Sequence, residues 1–235
     1  MTTDSQQHDQ ALRDAVLRSL GRAPPVVSVA PRDDIEVVSD PHGVLNVFQA
    51  CDAVQRGHFR MSGGLHSPFF FQKALVFQHP RQTEYLCGRL AELIVGNYGY
   101  PTCVVSAAVG GVIPGYETAR HFQGCTALYL ERAGLARQLS LRRGFTLGPG
   151  QPVVLVEDVM STGGTTEEAA RVLRGLGARV LGAAVILDRS DGLSQQLSLR
   201  VAALAKVRVP VYTETELPPE LADMPVTEPG SRRLS

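Results

Sequence analysis

A fourteen-residue segment, Val153–Thr166, limits the fold of this chain more than any other part of its sequence. It begins with four apolar residues, continues with the acids Glu157 and Asp158, and ends in a loop of hydroxyl residues and glycines. Four apolar residues are too few for a helix and are typical of a strand buried on both faces of a parallel sheet. Thr165, followed three residues later by Glu168, has the spacing of a capping box and predicts a helix start.

The predicted loop lies where a phosphate is bound favourably, because the N-terminus of a helix offers free N–H groups and the positive end of the helix dipole. Two acids would repel a bare phosphate, but they suit a sugar phosphate, whose hydroxyls donate hydrogen bonds to carboxylates. An ordinary strand–turn–helix junction with surface acids is the alternative interpretation. The segment contains neither a Walker A nor a GxGxxG sequence. The hydroxyls expected to bind the phosphate are those of Ser161, Thr162, Thr165 and Thr166.

The composition excludes several classes of function. The 235 residues carry 23 basic and 23 acidic side chains, so no basic surface for nucleic acid is expected. No apolar run reaches the roughly 18 residues of a membrane span. Residues 1–20 lack the features of an export signal, so a cytoplasmic protein without a membrane partner is expected. The four cysteines form no CxxC pair, which indicates reduced thiols and neither a zinc site nor a disulfide framework.

Hydrophobic periodicity and proline content predict the rest of the organisation. Residues 1–42 are interpreted as an N-terminal extension whose proline-containing part, 22–42, is a linker or loosely packed arm. Residues 43–212 form the main domain, and 213–235 a C-terminal tail. Helices are predicted over 9–20, from Gly43 and over 80–97, and strands over 102–106, 127–131, 180–187 and 199–212. On the helix that follows Thr166, the residues predicted to face the core are Ala169, Val172, Leu173 and Leu176, with Gly177 at its end.

The segment Val153–Thr166 resembles the motif with which type I phosphoribosyltransferases bind 5-phosphoribosyl 1-diphosphate (PRPP). The family pattern is an apolar strand, two acids and a Thr/Ser/Gly loop around the 5′-phosphate. The resemblance implies the type I phosphoribosyltransferase fold, an α/β fold whose central, mainly parallel sheet is flanked by helices and carries a small N-terminal hood. The residues that it implies for PRPP binding are Glu157, Asp158, Val159, Met160, Ser161, Thr162, Gly163, Gly164 and Thr165.

A second segment, Arg56–Lys73, predicts two short strands around a Ser-Gly-Gly turn, and on its residues alone a small hydrophobic hairpin is an alternative interpretation. Three consecutive aromatic residues, 69–71, cannot all face one core. The segment resembles the hood of orotate phosphoribosyltransferases, which implies that Phe70 and Phe71 lie against the flat orotate ring. Many members have a basic residue where this chain has Ser62. The residues that could replace that cation are Arg60, His66 and Lys73.

Two further loops follow predicted strands. The small residues of 107–111 let a ligand approach the backbone closely, although a tight turn without a ligand accounts for them equally well. The resemblance implies that this loop holds pyrophosphate through its amides. The arginine-rich segment 132–145 suits a mobile lid, and the family's lid supplies basic groups, often to the neighbouring subunit's site. The loop residues implied are Ala107, Ala108, Val109, Gly110 and Gly111, and the catalytic residues implied are Arg132, Arg137 and Asp158. For Arg142 and Arg143 a solvated strand is an equal alternative.

Arg189 follows the predicted strand 180–187, at the edge where open α/β sheets bind ligands. A surface ion pair is the ordinary interpretation of an arginine at a strand end. The resemblance implies instead that Arg189 pairs with the orotate carboxylate as a bidentate fork. Ser161 matches a family hydroxyl residue close to both substrates. The orotate-binding residues implied are thus Phe70, Phe71, Ser161 and Arg189.

Together the resemblances imply an orotate phosphoribosyltransferase, which transfers the 5-phosphoribosyl group from PRPP to orotate in de novo UMP biosynthesis. They also imply Mg²⁺ carried on the diphosphate and ribose hydroxyls, with no metal ligand from the protein, and a homodimer. Two other functions stay open on the sequence: a phosphoribosyltransferase for another base, and a non-catalytic PRPP or nucleotide sensor. The hood aromatics and Arg189 disfavour the first, whereas the absence of the family's lid lysines is compatible with the second.

Overall fold

The computed structural model describes residues 34–61, 64–134 and 137–229, so the helix predicted over 9–20 lies outside the described residues. No helix within these ranges is long and apolar enough to cross a membrane. The strands are β1 (Glu36–Ser39), β2 (Val54–Arg60), β3 (His66–Phe71), β4 (Cys103–Ala107), β5 (Thr126–Ala133), β6 (Gln138–Leu141), β7 (Pro152–Met160), β8 (Arg179–Asp188), β9 (Val201–Arg208) and β10 (Val226–Thr227). The α-helices are α1 (Val44–Ala50), α2 (Ala74–Phe77), α3 (Pro80–Tyr98), α4 (Val112–Ala119), α5 (Gly164–Gly175) and α6 (Pro219–Ala222), and single 3-10 turns span Leu193–Gln196 and Glu214–Glu216.

Seven strands form the central sheet in the order β1-β9-β8-β7-β4-β5-β6. The five inner strands run parallel, and the edge strands β1 and β6 run antiparallel to their neighbours. This arrangement confirms the predicted α/β fold with a mainly parallel sheet. Because parallel strands end at the same edge, the loops after β4, β7 and β8 are brought together there.

The apolar run of the central strand β7 is continuous because both of its faces are covered. Val154 and Val156 belong to the core on one face of the sheet, which also contains the inner residues of α3. Val153 and Leu155 belong to the core on the other face, together with Ala169 and other residues of α5. All four strand residues are buried, and each such side chain stabilises the fold by about 1.5–3 kcal/mol. A polar residue at any of them would be buried in an apolar core.

A second, three-stranded sheet forms the hood in the order β10-β2-β3. β2 and β3 make the predicted antiparallel hairpin. Alternation along β3 buries Phe69 and Phe71 on one face, where the Phe71 ring lies 6.2 Å from that of Phe48. Phe70 points to the other face, where it is only partly buried and its ring lies 5.6 Å from that of Phe59. The three aromatic residues are therefore divided between two faces.

The segment predicted as a C-terminal tail is attached to the hood over its described part, 213–229. β10 pairs in parallel with β2, and Leu221 of α6 is buried. The buried His58 ring lies 2.6 Å (Nε2) from His66 Nδ1 and 3.3 Å (Nδ1) from the carbonyl oxygen of Met224. Because a carbonyl only accepts, His58 Nδ1 is the donor toward Met224.

The predicted arm 22–42 also contains ordered structure. Glu36–Ser39 is strand β1, which pairs with β9 at the sheet edge and places Glu36 opposite Arg208. The prediction of a loose arm was therefore wrong for these four residues. A four-residue edge strand carries little periodicity of its own, since its order comes from backbone pairing with a distant strand. The division into domains at 42 and 212 stays a prediction.

Helix α5 begins differently from the prediction. Its N-cap is Gly163, with φ of 76°, and the helix already includes Thr165. The capping-box prediction was wrong because a glycine in the left-handed region turns the chain two residues earlier. Ala169 and Leu173 face the core as predicted, but Leu176 is 48% exposed. Gly177, with φ of 83°, follows the end of the helix as predicted.

Candidate active site

The acids of the PRPP-like motif lie inside strand β7, because this strand continues to Met160, which pairs with Asp188 of β8. A short turn then leads to Gly163 and the first turn of α5. Glu157 and Asp158 are therefore held by the sheet, and residues 161–165 lie at the helix N-terminus. The structure thus places all nine predicted PRPP-binding residues in one strand end, turn and helix start.

Glu157 and Asp158 differ in their surroundings. The Glu157 carboxylate is only partly exposed and accepts a hydrogen bond from the Thr166 hydroxyl. Its pKa is raised to about 8, chiefly by burial and further by the charges of Asp158 and Asp188, while Lys73 acts in the opposite direction. Asp158 is 5% exposed; its Oδ1 accepts from the Val159 N–H at 2.6 Å. Glu157 is therefore set up to hold a proton near neutral pH.

The second oxygen of Asp158 faces the small-residue loop. Oδ2 lies 3.4 Å from Lys73 Nζ and has no hydrogen-bond partner among the described residues. A Cβ added to Gly110 would lie 2.2 Å from this oxygen, so a residue with a side chain does not fit there without movement. The loop also contains a cis peptide bond between Ala108 and Val109, and Val109 is 76% exposed. The predicted pyrophosphate loop is therefore packed directly against the predicted PRPP acids.

Arg189 is buried where β8 ends, with 7% of its surface exposed. Its guanidinium donates hydrogen bonds of 3.3 Å to the Phe69 carbonyl and to Ser67 Oγ, and its central carbon lies 5.5 Å from the centre of the Phe71 ring. Burial lowers its pKa to about 10. Among the described residues no carboxylate forms an ion pair with it. A buried guanidinium without an anion is an arrangement that an anionic ligand would complete.

The aromatic pair predicted to contact orotate is split by this arrangement. Phe71 is buried in the core and lies under the guanidinium of Arg189. Phe70 is partly exposed and lies on the opposite face of β3, against Phe59. The structure therefore does not bring the two rings of the predicted pair together on one side, and Phe71 is the one that contacts Arg189.

The lid arginines lie on the hairpin formed by β5 and β6. Arg132 Nη1 lies 3.0 Å from Glu168 Oε2 and donates to the Arg137 carbonyl at 2.8 Å. Glu168 Oε1 accepts from the Leu139 N–H at 2.8 Å, so one acid of α5 holds both strands of the hairpin. The Arg137 side chain is exposed. Arg143 forms a surface ion pair with Glu131, as the solvated-strand interpretation predicts.

Sequence reasoning missed the positioning roles of three residues at this site. Ser67 holds Arg189 and itself donates to the Pro210 carbonyl at 2.9 Å. The buried Asp188 accepts from the Ser190 N–H and from Ser194 Oγ, which fixes the loop that carries Arg189. Glu168 ties the hairpin to α5. Lys73 was one of three residues named from the sequence as a possible hood cation, and the structure adds its approach to Asp158. An acid directly after an apolar strand was the available sequence signal for Asp188. The contacts of Lys73 and Glu168 join elements that are distant in the sequence, so the sequence carried no signal for them.

Comparison with known proteins agrees with this architecture. Residues 77–204 match the phosphoribosyl transferase domain family. The orotate phosphoribosyltransferase of Caulobacter vibrioides is 48% identical over 191 residues, which cover 81% of this chain and 96% of the relative. The solved orotate phosphoribosyltransferase of Aeropyrum pernix has a TM-score of 0.59 at 24% identity, with 69% of this chain and 93% of that chain covered.

The fold alone does not distinguish the base. The adenine phosphoribosyltransferase of Leishmania tarentolae is also similar in structure, with a TM-score of 0.53 at 17% identity over 72% of this chain and 89% of that chain. The curated relatives of high coverage decide the family instead. The chain belongs to the orotate phosphoribosyltransferase family.

Proposed function

We propose that this protein transfers the 5-phosphoribosyl group from PRPP to N1 of orotate, giving orotidine 5′-monophosphate and pyrophosphate. The observation that carries the proposal is Arg189, a buried cation that pairs with no acid among the described residues and lies where β8 ends. Orotate carries a carboxylate, which is the kind of anion that a buried guanidinium binds as a bidentate fork. Relatives with this printed activity cover most of the chain and support the proposal.

The site residues would act mainly by positioning both substrates. The turn 161–165 would hold the 5′-phosphate, Glu157 and Asp158 the ribose hydroxyls, and 107–111 the diphosphate. During transfer the bond between C1′ and the diphosphate oxygen breaks, and a bond from orotate N1 to C1′ forms on the opposite face. The diphosphate leaves with the electron pair, and the ring passes through a state of oxocarbenium character. The proton on orotate N1 passes to the departing diphosphate or to solvent, so the proposal includes no nucleophilic side chain and no dedicated general base. Positioning and charge stabilisation lower the barrier.

Arg132 and Arg137 would supply positive charge to the departing diphosphate from the β5–β6 hairpin. Mg²⁺, when bound with PRPP, neutralises charge on the diphosphate. Within the described ranges no group of three or more His, Cys, Asp or Glu could hold a metal ion. The proposal therefore has the ion arrive on the substrate, because Mg²⁺ commonly keeps waters and substrate phosphates as ligands. Glu157 and Asp158 are assigned to the ribose hydroxyls and not to the ion.

The proposal includes a cytoplasmic homodimer. Val109, Ile113 and Tyr116 form an exposed apolar stripe on the loop before α4 and on the helix itself. Ile113 and Tyr116 are three positions apart and lie on one face of the helix, with Val109 in the loop that precedes it, and a second copy of the chain would cover this stripe. Tyr116→Glu is expected to shift the molecular mass measured by light scattering from dimer to monomer. An unchanged mass would exclude this stripe as the dimer contact.

The decisive assay is the consumption of orotate by the purified protein in the presence of PRPP and Mg²⁺, with uracil, adenine and hypoxanthine as competing bases. We expect turnover with orotate alone. Turnover with another base would favour the second phosphoribosyltransferase function. Binding of PRPP without turnover of any base would show a sensor and would refute the enzymatic proposal.

A further inference from the structure

The chain has two lysines, Lys73 and Lys206, and many arginines. Lys73 lies between β3 and α2, at the base of the hood. Its N–H donates to the Phe71 carbonyl, and its own carbonyl accepts from Val76 and Phe77. The backbone is therefore fixed on both sides, and the direction of the side chain is set by the hood.

The Lys73 side chain reaches from the hood to the edge of the central sheet. Its Nζ lies 3.4 Å from Asp158 Oδ2. Its Cε lies 3.0 Å from the position that a Cβ on Gly110 would take. The ammonium therefore lies between the acids of β7 and the 107–111 loop, and the absence of a side chain at Gly110 leaves the space for it. With 35% of the side chain exposed, the group is accessible to a ligand.

The charges around Lys73 indicate a purpose beyond a surface ion pair. Asp158 and Asp188 bring two acids to this edge beside Glu157, whose pKa is raised first by burial and then by the charges of these two neighbours. A diphosphate approaching them requires a nearby cation. Among the described residues Lys73 is the one cation paired with Asp158, and the 3.4 Å separation leaves its donors incompletely used. An ammonium has three donors and can contact a carboxylate and a phosphate together.

We propose that Lys73 is a substrate-binding residue that contacts the diphosphate of PRPP, and the released pyrophosphate, across the 107–111 loop. The proposal rests on the proposed function for the assignment of that loop. In this proposal the two ends of PRPP are bound at different places: the 5′-phosphate at the start of α5, and the diphosphate at Lys73. The hood thereby contributes to PRPP binding as well as to orotate binding.

The test compares two ligands, each of which corresponds to a different part of PRPP. Pyrophosphate and ribose 5-phosphate are each titrated into the wild type, Lys73→Met, Lys73→Arg and the control Lys206→Met. We expect Lys73→Met to weaken pyrophosphate binding about 10- to 100-fold, the loss of one charged hydrogen bond. Ribose 5-phosphate binding is expected to stay within about twofold, and Lys73→Arg to recover part of the loss because it restores the charge.

Kinetics and labelling provide independent readouts. Lys73→Met should raise KM for PRPP more than KM for orotate. In the unmodified protein, pyrophosphate should protect Lys73, and not Lys206, from an amine-reactive reagent, with the sites read by mass spectrometry. The labelling requires no variant, so it tests the contact between Lys73 and pyrophosphate even if Lys73→Met does not fold.

Three results would overturn the proposal: unchanged pyrophosphate affinity in Lys73→Met, equal losses for pyrophosphate and ribose 5-phosphate, or no protection of Lys73. Equal losses would mean that Lys73 acts only by supporting Asp158. Failure of the proposed function is seen separately, as absence of orotate turnover by the wild-type protein.

Discussion

Replacing Arg189 by methionine should remove orotate binding without unfolding the protein. The lowered pKa of Arg189, about 10 instead of 12.5, corresponds to about 3 kcal/mol of unfavourable desolvation at neutral pH. Two hydrogen bonds of 3.3 Å and a contact with the Phe71 ring offset this by about 1 kcal/mol each. The contributions nearly cancel, so the free energy of unfolding should change by less than ~1 kcal/mol at pH 7.

The binding of orotate should respond very differently. Removing one partner of a buried charged pair weakens binding by about 2–5 kcal/mol, which is roughly 30- to 5,000-fold in Kd. PRPP affinity should change little, because Arg189 donates toward the hood, to Phe69 and Ser67, and not toward the 157–165 segment. Methionine keeps most of the apolar volume, so the Phe71 ring stays covered.

The assay is calorimetric titration of orotate and of PRPP, together with urea unfolding, for the wild type and Arg189→Met. Arg179→Met is the matched control, since Arg179 lies at the opposite end of the same strand and is exposed. A fall of 3 kcal/mol or more in the free energy of unfolding, typical of a broken buried ion pair, would show that Arg189 is structural. Equal losses for orotate and PRPP would refute its assignment to the carboxylate.

Three further predictions concern the sheet edge. The pKa of Glu157 is about 8 in the folded protein against an ordinary 4.5, so between these pH values the folded state keeps a proton that the unfolded state has lost. The free energy of unfolding should therefore fall as the pH rises from 4.5 to about 8. Urea unfolding at several pH values should show that Glu157→Gln flattens this slope. Gly110→Ala places a Cβ 2.2 Å from Asp158 Oδ2; overpacking costs about 1–3 kcal/mol, so kcat/KM for PRPP should fall roughly 5- to 150-fold in steady-state assays. Glu168→Ala removes both bonds to the β5–β6 hairpin, and amide exchange of β6 should accelerate about 5- to 30-fold by mass spectrometry.

Two of these variants, Gly110→Ala and Glu168→Ala, have a control in the chain. Gly96→Ala adds a Cβ with nothing within 4 Å, so its kcat/KM should match the wild type. Glu167→Ala breaks bonds to Ser198 and none to the hairpin, so β6 exchange should be unaffected. Loss of activity in Gly96→Ala, faster β6 exchange in Glu167→Ala, or an unchanged pH slope in Glu157→Gln would contradict the corresponding reasoning.

The sequence predicted the central sheet well because its strands carry their own signal. An apolar run such as 153–156 has a single favourable placement, between two covered faces, and the resemblance of the following loop located the PRPP-like segment. Short edge strands carry no comparable signal. β1 and β10 have four and two residues and are defined by their partners.

The sequence was enough to name most residues of the candidate site, but not to predict which way their side chains point. Alternation along β3 requires Phe70 and Phe71 to face opposite sides, but only the packed structure shows which side is the core. The contact between Lys73 and Asp158 joins the hood to the sheet over a long separation in sequence. Spacing in a sequence describes neighbours within one element, and these contacts lie between elements.

The attachment of the chain's end to its beginning has a consequence for synthesis. Arg60 of β2 and Glu228 beside β10 form an ion pair across 168 positions, and Glu36 of β1 pairs with Arg208 across 172. At about 5–20 residues per second, a ribosome needs roughly 8–35 s to supply the missing partner. During that interval the emerging hood strand has an open edge, which invites pairing with other chains. A chain truncated shortly before β10 would keep all seven strands of the central sheet and lose the strand that covers the edge of β2 in the hood.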